Sequence, residues 1–294
     1  MLALQILVNG ILLGGIYASI AGGFSLVWGV LNVINILHGS FVVLGAYMAF
    51  FAYTLLGIHP YLFVPIAALL LFAIGLAVQY AIVNRVIDAP VLVSLTLTFG
   101  LTLFLDNVML NAFKADFRKV NLRPPLGIID VSDYLPAIDI IVPVDRLASM
   151  AFAILLVALL YWLLRRTSIG RAIVAVRMDR YAASLMGVDT RIIFAVTFGI
   201  GAAMAGAAGA LLSPIFPISP LASTAYLGKA FVICILGGLG SVTGVLVGGV
   251  ALGVLESFGA YIFGPEHSLT LSFTLLILLL IFRPTGLLGK RGFI

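Results

Sequence analysis

Three ionisable side chains interrupt long apolar runs: Asp106, Lys229 and Glu256. An ionisable group is costly in hydrocarbon, so each marks a functional site by default. Asp106 and Lys229 are expected near helix ends, with their heads reaching the interface. Glu256 sits deeper, in Ala251-Leu252-Gly253-Val254-Leu255-Glu256. It is a candidate for lining a pathway or contacting a partner; a structural hydrogen-bonded role is the other reading. The uncharged polar residues Asn9, Asn32, Asn35, His38, Thr96 and Thr98 have the chemistry to line a path for a zwitterionic solute. Each alone reads first as a helix-to-helix hydrogen bond. Asn35, His38 and Glu256 are taken as the substrate-path candidates.

Other chemistries find no footing. The three histidines, His38, His59 and His267, do not share the close spacing of a metal-binding helix motif. The single cysteine, Cys234, excludes an internal disulfide and a cysteine metal site. There is no Gly-x-Ser-x-Gly elbow. Gly228-Lys229 resembles the end of a phosphate loop, but Ser223 stands where the first glycine belongs and Ala230 follows the lysine. The sequence therefore predicts no catalytic residues, no metal, no cofactor and no ATP site in this chain.

These residues must be held by helices that cross a membrane. Of 294 residues, 63% are hydrophobic and 9% charged, against about 25% charged in soluble domains. Mean hydropathy is +1.26. The first basic residue is Arg85 and the first acidic one is Asp88. A crossing takes about 20 residues, so the opening stretch has room for up to four. It lacks the basic start and cleavage site of a signal peptide. The net charge of +5 does not point to nucleic acid, because its positions are those of membrane loops.

Apolar segments run at about 2–20, 21–37, 39–56, 61–83, 90–111, 146–164, 192–212, 225–240, 242–262 and 268–283. The expected fold is an all-α polytopic membrane protein, residues 1–294 forming one domain with eight to ten transmembrane or partly re-entrant helices. Gly22, Gly23, Asn32, Asn35, His38 and Gly39 predict a broken or re-entrant helix within 21–45, tolerated where protein or a cavity surrounds it. The same holds around Gly237-Gly238-Leu239-Gly240-Ser241. Gly240, Gly244 and Gly248, Gly249 and Gly253, and Ala202, Gly206 and Ala210 recur at intervals of four, which lets backbones approach closely in lipid. Such spacing suits a tightly packed core or a dimer interface.

Two polar segments set the orientation. In 112–146, Lys114, Arg118, Lys119, Arg123 and Arg146 balance Asp116, Asp130, Asp133, Asp139 and Asp145, among four prolines. This reads as an irregular external loop. In 165–191, six arginines face only Asp179 and Asp189. Short arginine-rich loops stay in the cytoplasm. The resulting alternation also places Arg85 and the tail's Arg283, Lys290 and Arg291 inside. Within the basic loop, Asp179 is a fair N-cap for a short helix over 180–186, and Gly187 can end it in the left-handed conformation. A partner groove or an anionic lipid surface would receive such a helix equally well.

Tyr181-Ala182-Ala183-x-x-x-Gly187 resembles the Glu-Ala-Ala-x-x-x-Gly loop of ABC importer permeases, with Tyr181 replacing Glu. The wider chain resembles the branched-chain amino acid permease family, specifically its shorter permease subunit. Asn9-Gly10 with Gly14-Gly15-Ile16-Tyr17-Ala18 carries the resemblance first. Asn35-Ile36-Leu37-His38-Gly39 with Gly45-Ala46-Tyr47, and Gly170-Arg171-Ala172 through Gly187-Val188-Asp189, continue it. Lys229-Ala230-Phe231, Gly237-Gly238-Leu239-Gly240-Ser241, Gly244, Glu256 and Arg283-Pro284-Thr285-Gly286-Leu287-Leu288-Gly289 complete it. Ser40 stands where many members carry Glu. The resemblance implies an importer subunit in a bacterial inner membrane that moves branched-chain amino acids. Urea, short amides or aromatic acids are the substrates of relatives with similar motifs. It also implies a homologous second permease, two cytoplasmic subunits that bind the ATP, and a periplasmic solute-binding protein. Tyr181, Ala182, Ala183 and Gly187 would dock in the ATPase, assisted by Arg177 and Arg180. An ion-coupled secondary transporter, with Asp106 and Glu256 as its acidic candidates, is the rival from another class.

Overall fold

The structure is a computed structural model and describes residues 2–130, 140–238 and 240–282. Ser132, Asp133, Pro136, Asp139, Leu239 and the tail with Arg283, Lys290 and Arg291 lie outside those residues. Helices follow one another as α1 (Leu2–Leu31), α2 (His38–Leu56), α3 (Pro60–Ala81), α4 (Val91–Phe113), α5 (Val144–Arg166), α6 (Ser168–Met178), α7 (Arg180–Leu185), α8 (Thr190–Leu212), α9 (Ser223–Gly237), α10 (Val242–Phe263) and α11 (Ser268–Phe282). Eight stretches are long and apolar enough to cross a membrane, and α11 adds a shorter apolar helix. That agrees with the eight to ten crossings expected.

Two local readings change. Segment 2–20 and most of 21–37 are one helix, α1, about 45 Å long at 1.5 Å per residue. Gly22 and Gly23 do not break it. They let α8 come close, and a Cβ on Gly23 would meet the Gly201 carbonyl oxygen and the Met204 side chain. The helix ends instead at Asn32, whose φ of 54° is a left-handed conformation that asparagine tolerates. An irregular 32–37 segment follows, and α2 starts within the bundle, so the break falls inside the range predicted for it. The described parts of the polar segment 112–146 also hold regular structure that the sequence reading did not expect. β1 (Ile128–Asp130) pairs antiparallel with β2 (Ile141–Pro143).

The ends of the bundle separate by charge. The Asn84 side chain donates to the Arg191 carbonyl, Arg180 pairs with Asp88, and Arg177 donates to the Gly240 carbonyl. These contacts gather Arg85 and the 165–191 loop at one end. At the other end Gln5 makes two hydrogen bonds to the Ile141 backbone, and Arg118 forms a bridge with Ile218.

The small residues are spent inside this chain. Gly10 and Gly14 on α1 face Gly249 and Gly253 on α10 so closely that a Cβ on any of them would strike the other backbone. Gly45 meets Gly206, a Cβ on Gly209 would meet the Val42 carbonyl, and Gly237 meets Gly244. Of the two roles open to this spacing, internal packing is the one observed at these glycines. Backbones in such contact gain dispersion energy that lipid tails cannot match. The result is a core of α1, α2, α8, α9 and α10, with α4 and α5 exposing most of their surface.

Candidate functional site

The basic end carries the first candidate region. Thr167 caps α6 by accepting from the Gly170 N–H. Ile173 and Val176 are buried on one face of α6 while Arg171 and Val174 are exposed, the amphipathic pattern read from the sequence. Asp179 caps α7, accepting from the Ala182 N–H at 2.9 Å. The helix ends in a paired turn. The Val188 N–H bonds the Ala183 carbonyl and the Gly187 N–H bonds the Ser184 carbonyl, with Gly187 at φ 84°. This is the Schellman arrangement, which requires the left-handed residue at that point.

The side chains of this corner divide. Tyr181 and Ala182 are exposed, as are Met178, Leu185 and Met186 beside them. Ala183 is 5% exposed and belongs to the main core. The expectation that Ala182 and Ala183 both face a partner groove is therefore corrected: Ala183 seats α7 on its own bundle. Arg180 bonds Asp88 at 2.5 Å and lies over the Phe194 ring, while Arg177 reaches Gly240. In this structure both arginines brace the loop, where the resemblance had them assisting its docking in the ATPase. A cleft of about 310 Å³ opens behind them, lined by Leu31, Asn32, Ser94, Arg177, Asp179 and Arg180. It joins the loop to the end of α1 and the start of α4.

The second candidate region is the irregular entry to α2. Asn35 and His38 are fully buried. His38 Nε2 lies 2.8 Å from the Ile20 carbonyl of α1, and its ring meets Phe24 edge-on. Among the described residues, His38 Nδ1 and both amide atoms of Asn35 are buried without a hydrogen-bond partner. Thr98 of α4 donates to the Ile34 carbonyl and so satisfies part of the irregular backbone. Thr96 points away, exposed and bonded to its own helix. The structure thus sets Asn35, His38 and Thr98 around one break in the helices.

Glu256 has both oxygens occupied. Lys229 Nζ donates to one at 2.9 Å and Ser272 Oγ to the other at 2.8 Å. Lys229 also donates to the Tyr17 hydroxyl at 2.8 Å and stands over that ring. The cluster ties together α1, α9, α10 and α11. This geometry favours the hydrogen-bonded role over a pathway-lining one.

Sequence reasoning missed the setting of Asp106. Its carboxylate accepts from Ser40 Oγ at 2.7 Å and Ser223 Oγ at 2.6 Å. The starts of α2 and α9 thereby meet α4 at one carboxylate, and a Cβ on Gly39 would run into the Ser223 carbonyl oxygen. The available signal was the row Ser94, Thr98, Thr102 and Asp106, spaced by four along one helix face.

Apolar spans packed through glycine, with buried polar groups at helix breaks, define a multi-pass membrane protein. The chain belongs to the family described as "Branched-chain amino acid transport system / permease component", whose model matches residues 6–282. It is 35% identical to the high-affinity branched-chain amino acid transport system permease protein BraD of Pseudomonas aeruginosa, covering 98% of this chain and 96% of that protein. It is 34% identical to the corresponding protein LivH of Escherichia coli K12, with the same coverage. It is also similar to the permease protein LivM of that organism, at 27% over 93% of this chain and 68% of LivM. No solved structure matches the chain significantly.

Proposed function

We propose that this chain is a permease subunit of an ATP-binding-cassette importer for branched-chain amino acids. The carrying observation is the full-length similarity to BraD and LivH, both named for that transport. The similarity to LivM supports a second, homologous permease as partner. Two cytoplasmic ATPase subunits and a periplasmic binding protein complete the assembly in this reading, and the chain itself binds no ATP or other cofactor. ATP binding in the partners would drive alternating access, with α7 as the coupling helix. Its exposed Tyr181, Leu185 and Met186 form an apolar tip that suits a groove in the ATPase.

Uptake tests this reading. The assembled complex in liposomes should take up leucine only with ATP inside the compartment that faces the ATPases, and an uncoupler should not slow it. ATP-independent uptake by the chain alone would overturn the importer reading.

The reading also orients the chain in the inner membrane with its basic end in the cytoplasm, because short arginine-rich loops resist translocation. Ser168 is exposed at the basic end and Asn121 at the other. In a chain lacking Cys234, a cysteine at Asn121 should react with an impermeant thiol reagent in spheroplasts, and one at Ser168 should react only after lysis. The opposite pattern would invert the topology.

A further inference from the structure

Of the three charges in the apolar runs, Lys229 and Glu256 neutralise each other, and Asp106 has no cation among the described residues. It lies seven residues before Phe113, about 10 Å below the end of α4. The hydroxyls of Ser40 and Ser223 fix the two carboxylate oxygens but do not cancel the charge. Each oxygen keeps acceptor capacity beyond its one hydroxyl. A carboxylate at depth in a membrane is costly, and such residues pair with a charge or face a water-filled cavity. Asp106 is half-buried, so the residue keeps part of its surface exposed. From it the row Thr102, Thr98 and Ser94 runs down the buried face of α4 to the cleft behind Arg177 and Arg180.

We propose that Asp106 binds the ammonium group of the amino acid in transit. The assignment rests on the importer reading and adds a residue to it. The carboxylate is held by two other elements, it lacks a partner of opposite charge among the described residues, and it heads a polar row down the buried face of α4. An amino acid carries the missing cation with it. A hydrocarbon environment makes such a pairing stronger than it is in water. Binding must also be weak enough to release, and a single carboxylate without a second acid meets that need. Asp106 touches the solute in this proposal; Ser40 and Ser223 are positioning residues.

The test uses the complete complex in liposomes, with ATP, binding protein and tritiated leucine. Asp106→Asn should lower uptake at least tenfold while the second permease still co-purifies and the binding protein still stimulates ATP hydrolysis. Ser40→Ala/Ser223→Ala keeps the charge and should retain at least a third of wild-type uptake. Asp106→Asn/Ser40→Asp moves a carboxylate across a 2.7 Å hydrogen bond and should recover uptake to within threefold of wild type. Four results would overturn the proposal. Asp106→Asn could transport as wild type does. The serine pair could fall as far as Asp106→Asn, which would make the junction merely structural. The relocated carboxylate could fail to rescue. Asp106→Asn could lose the second permease, which would make Asp106 an interface charge. If the wild-type complex shows no ATP-dependent uptake, the importer reading falls first and this assignment with it.

Discussion

Gly187→Val is expected to leave the chain inserted and to abolish coupled transport. Gly187 has φ 84°, and both closing hydrogen bonds of the α7 turn depend on that conformation. A residue with a Cβ pays about 1 kcal/mol or more there, and β-branching adds to it. Nothing lies within 4 Å of a Cβ at this position, so the effect would be conformational rather than a clash. The turn must rearrange, and Ala183 and Val188 are the residues it joins. Ala183 is the buried foot of α7, so the exposed tip with Tyr181 and Leu185 would tilt from its seat. Arg180 and Asp88 then lose register with each other, and the start of α4 loses its tie to the loop. Pull-down of the ATPase subunits should fall at least tenfold at equal expression, and solute-stimulated hydrolysis with it. Gly187→Asn, which tolerates the left-handed region, should retain most of both. Wild-type binding and coupling in Gly187→Val would remove this loop as the transmission element and leave it a helix on the lipid surface.

What made that corner legible was its locality. Asp179, the apolar residues and Gly187 lie within nine residues of each other, and capping acts over one turn. The spans were legible because each holds a window of 18 apolar-rich residues with at most two charged side chains. Gly22-Gly23 misled because glycine weakens a helix and also lets another approach, and sequence alone does not say which. Asn32 was visible as a polar residue, but its left-handed φ depends on the chain turning back into the bundle. The pairing of 128–130 with 141–143 was hidden in a segment whose prolines and balanced charges carry no alternating pattern. Contacts between distant residues were illegible: Ser40 and Asp106 are 66 apart, and Ser223 and Asp106 are 117 apart. All three embedded charges stood out on sight. Only their geometry separates the neutralised pair from the acid that has no cation among the described residues.

That separation yields the second large effect. Removing either Lys229 or Glu256 should destabilise the chain by about 3–5 kcal/mol, because the remaining group is a buried, unpaired charge. The side chains of this pair are 12% and 5% exposed, so water offers little screening. Lys229→Met would leave Glu256 with hydroxyl partners only, Ser272 and Tyr17. Glu256→Leu would leave Lys229 on the Tyr17 hydroxyl and ring face. In Lys229→Met/Glu256→Leu both desolvation costs vanish together, and apolar side chains of similar size fill the space. Buried pairs replaced in this way are often neutral or gain stability, so the double variant should recover most of the loss. The buried Cys234 supplies the measurement: its reaction with a permeant thiol reagent on warming reports opening of the core around α9. Both single variants should react at markedly lower temperature than wild type, and the double variant close to it. A pathway role for Glu256 gives another pattern, in which Glu256→Leu keeps its thermal profile, loses uptake, and is not rescued by Lys229→Met. That pattern would return Glu256 to the substrate path and remove the structural reading of the α1, α9, α10 and α11 junction.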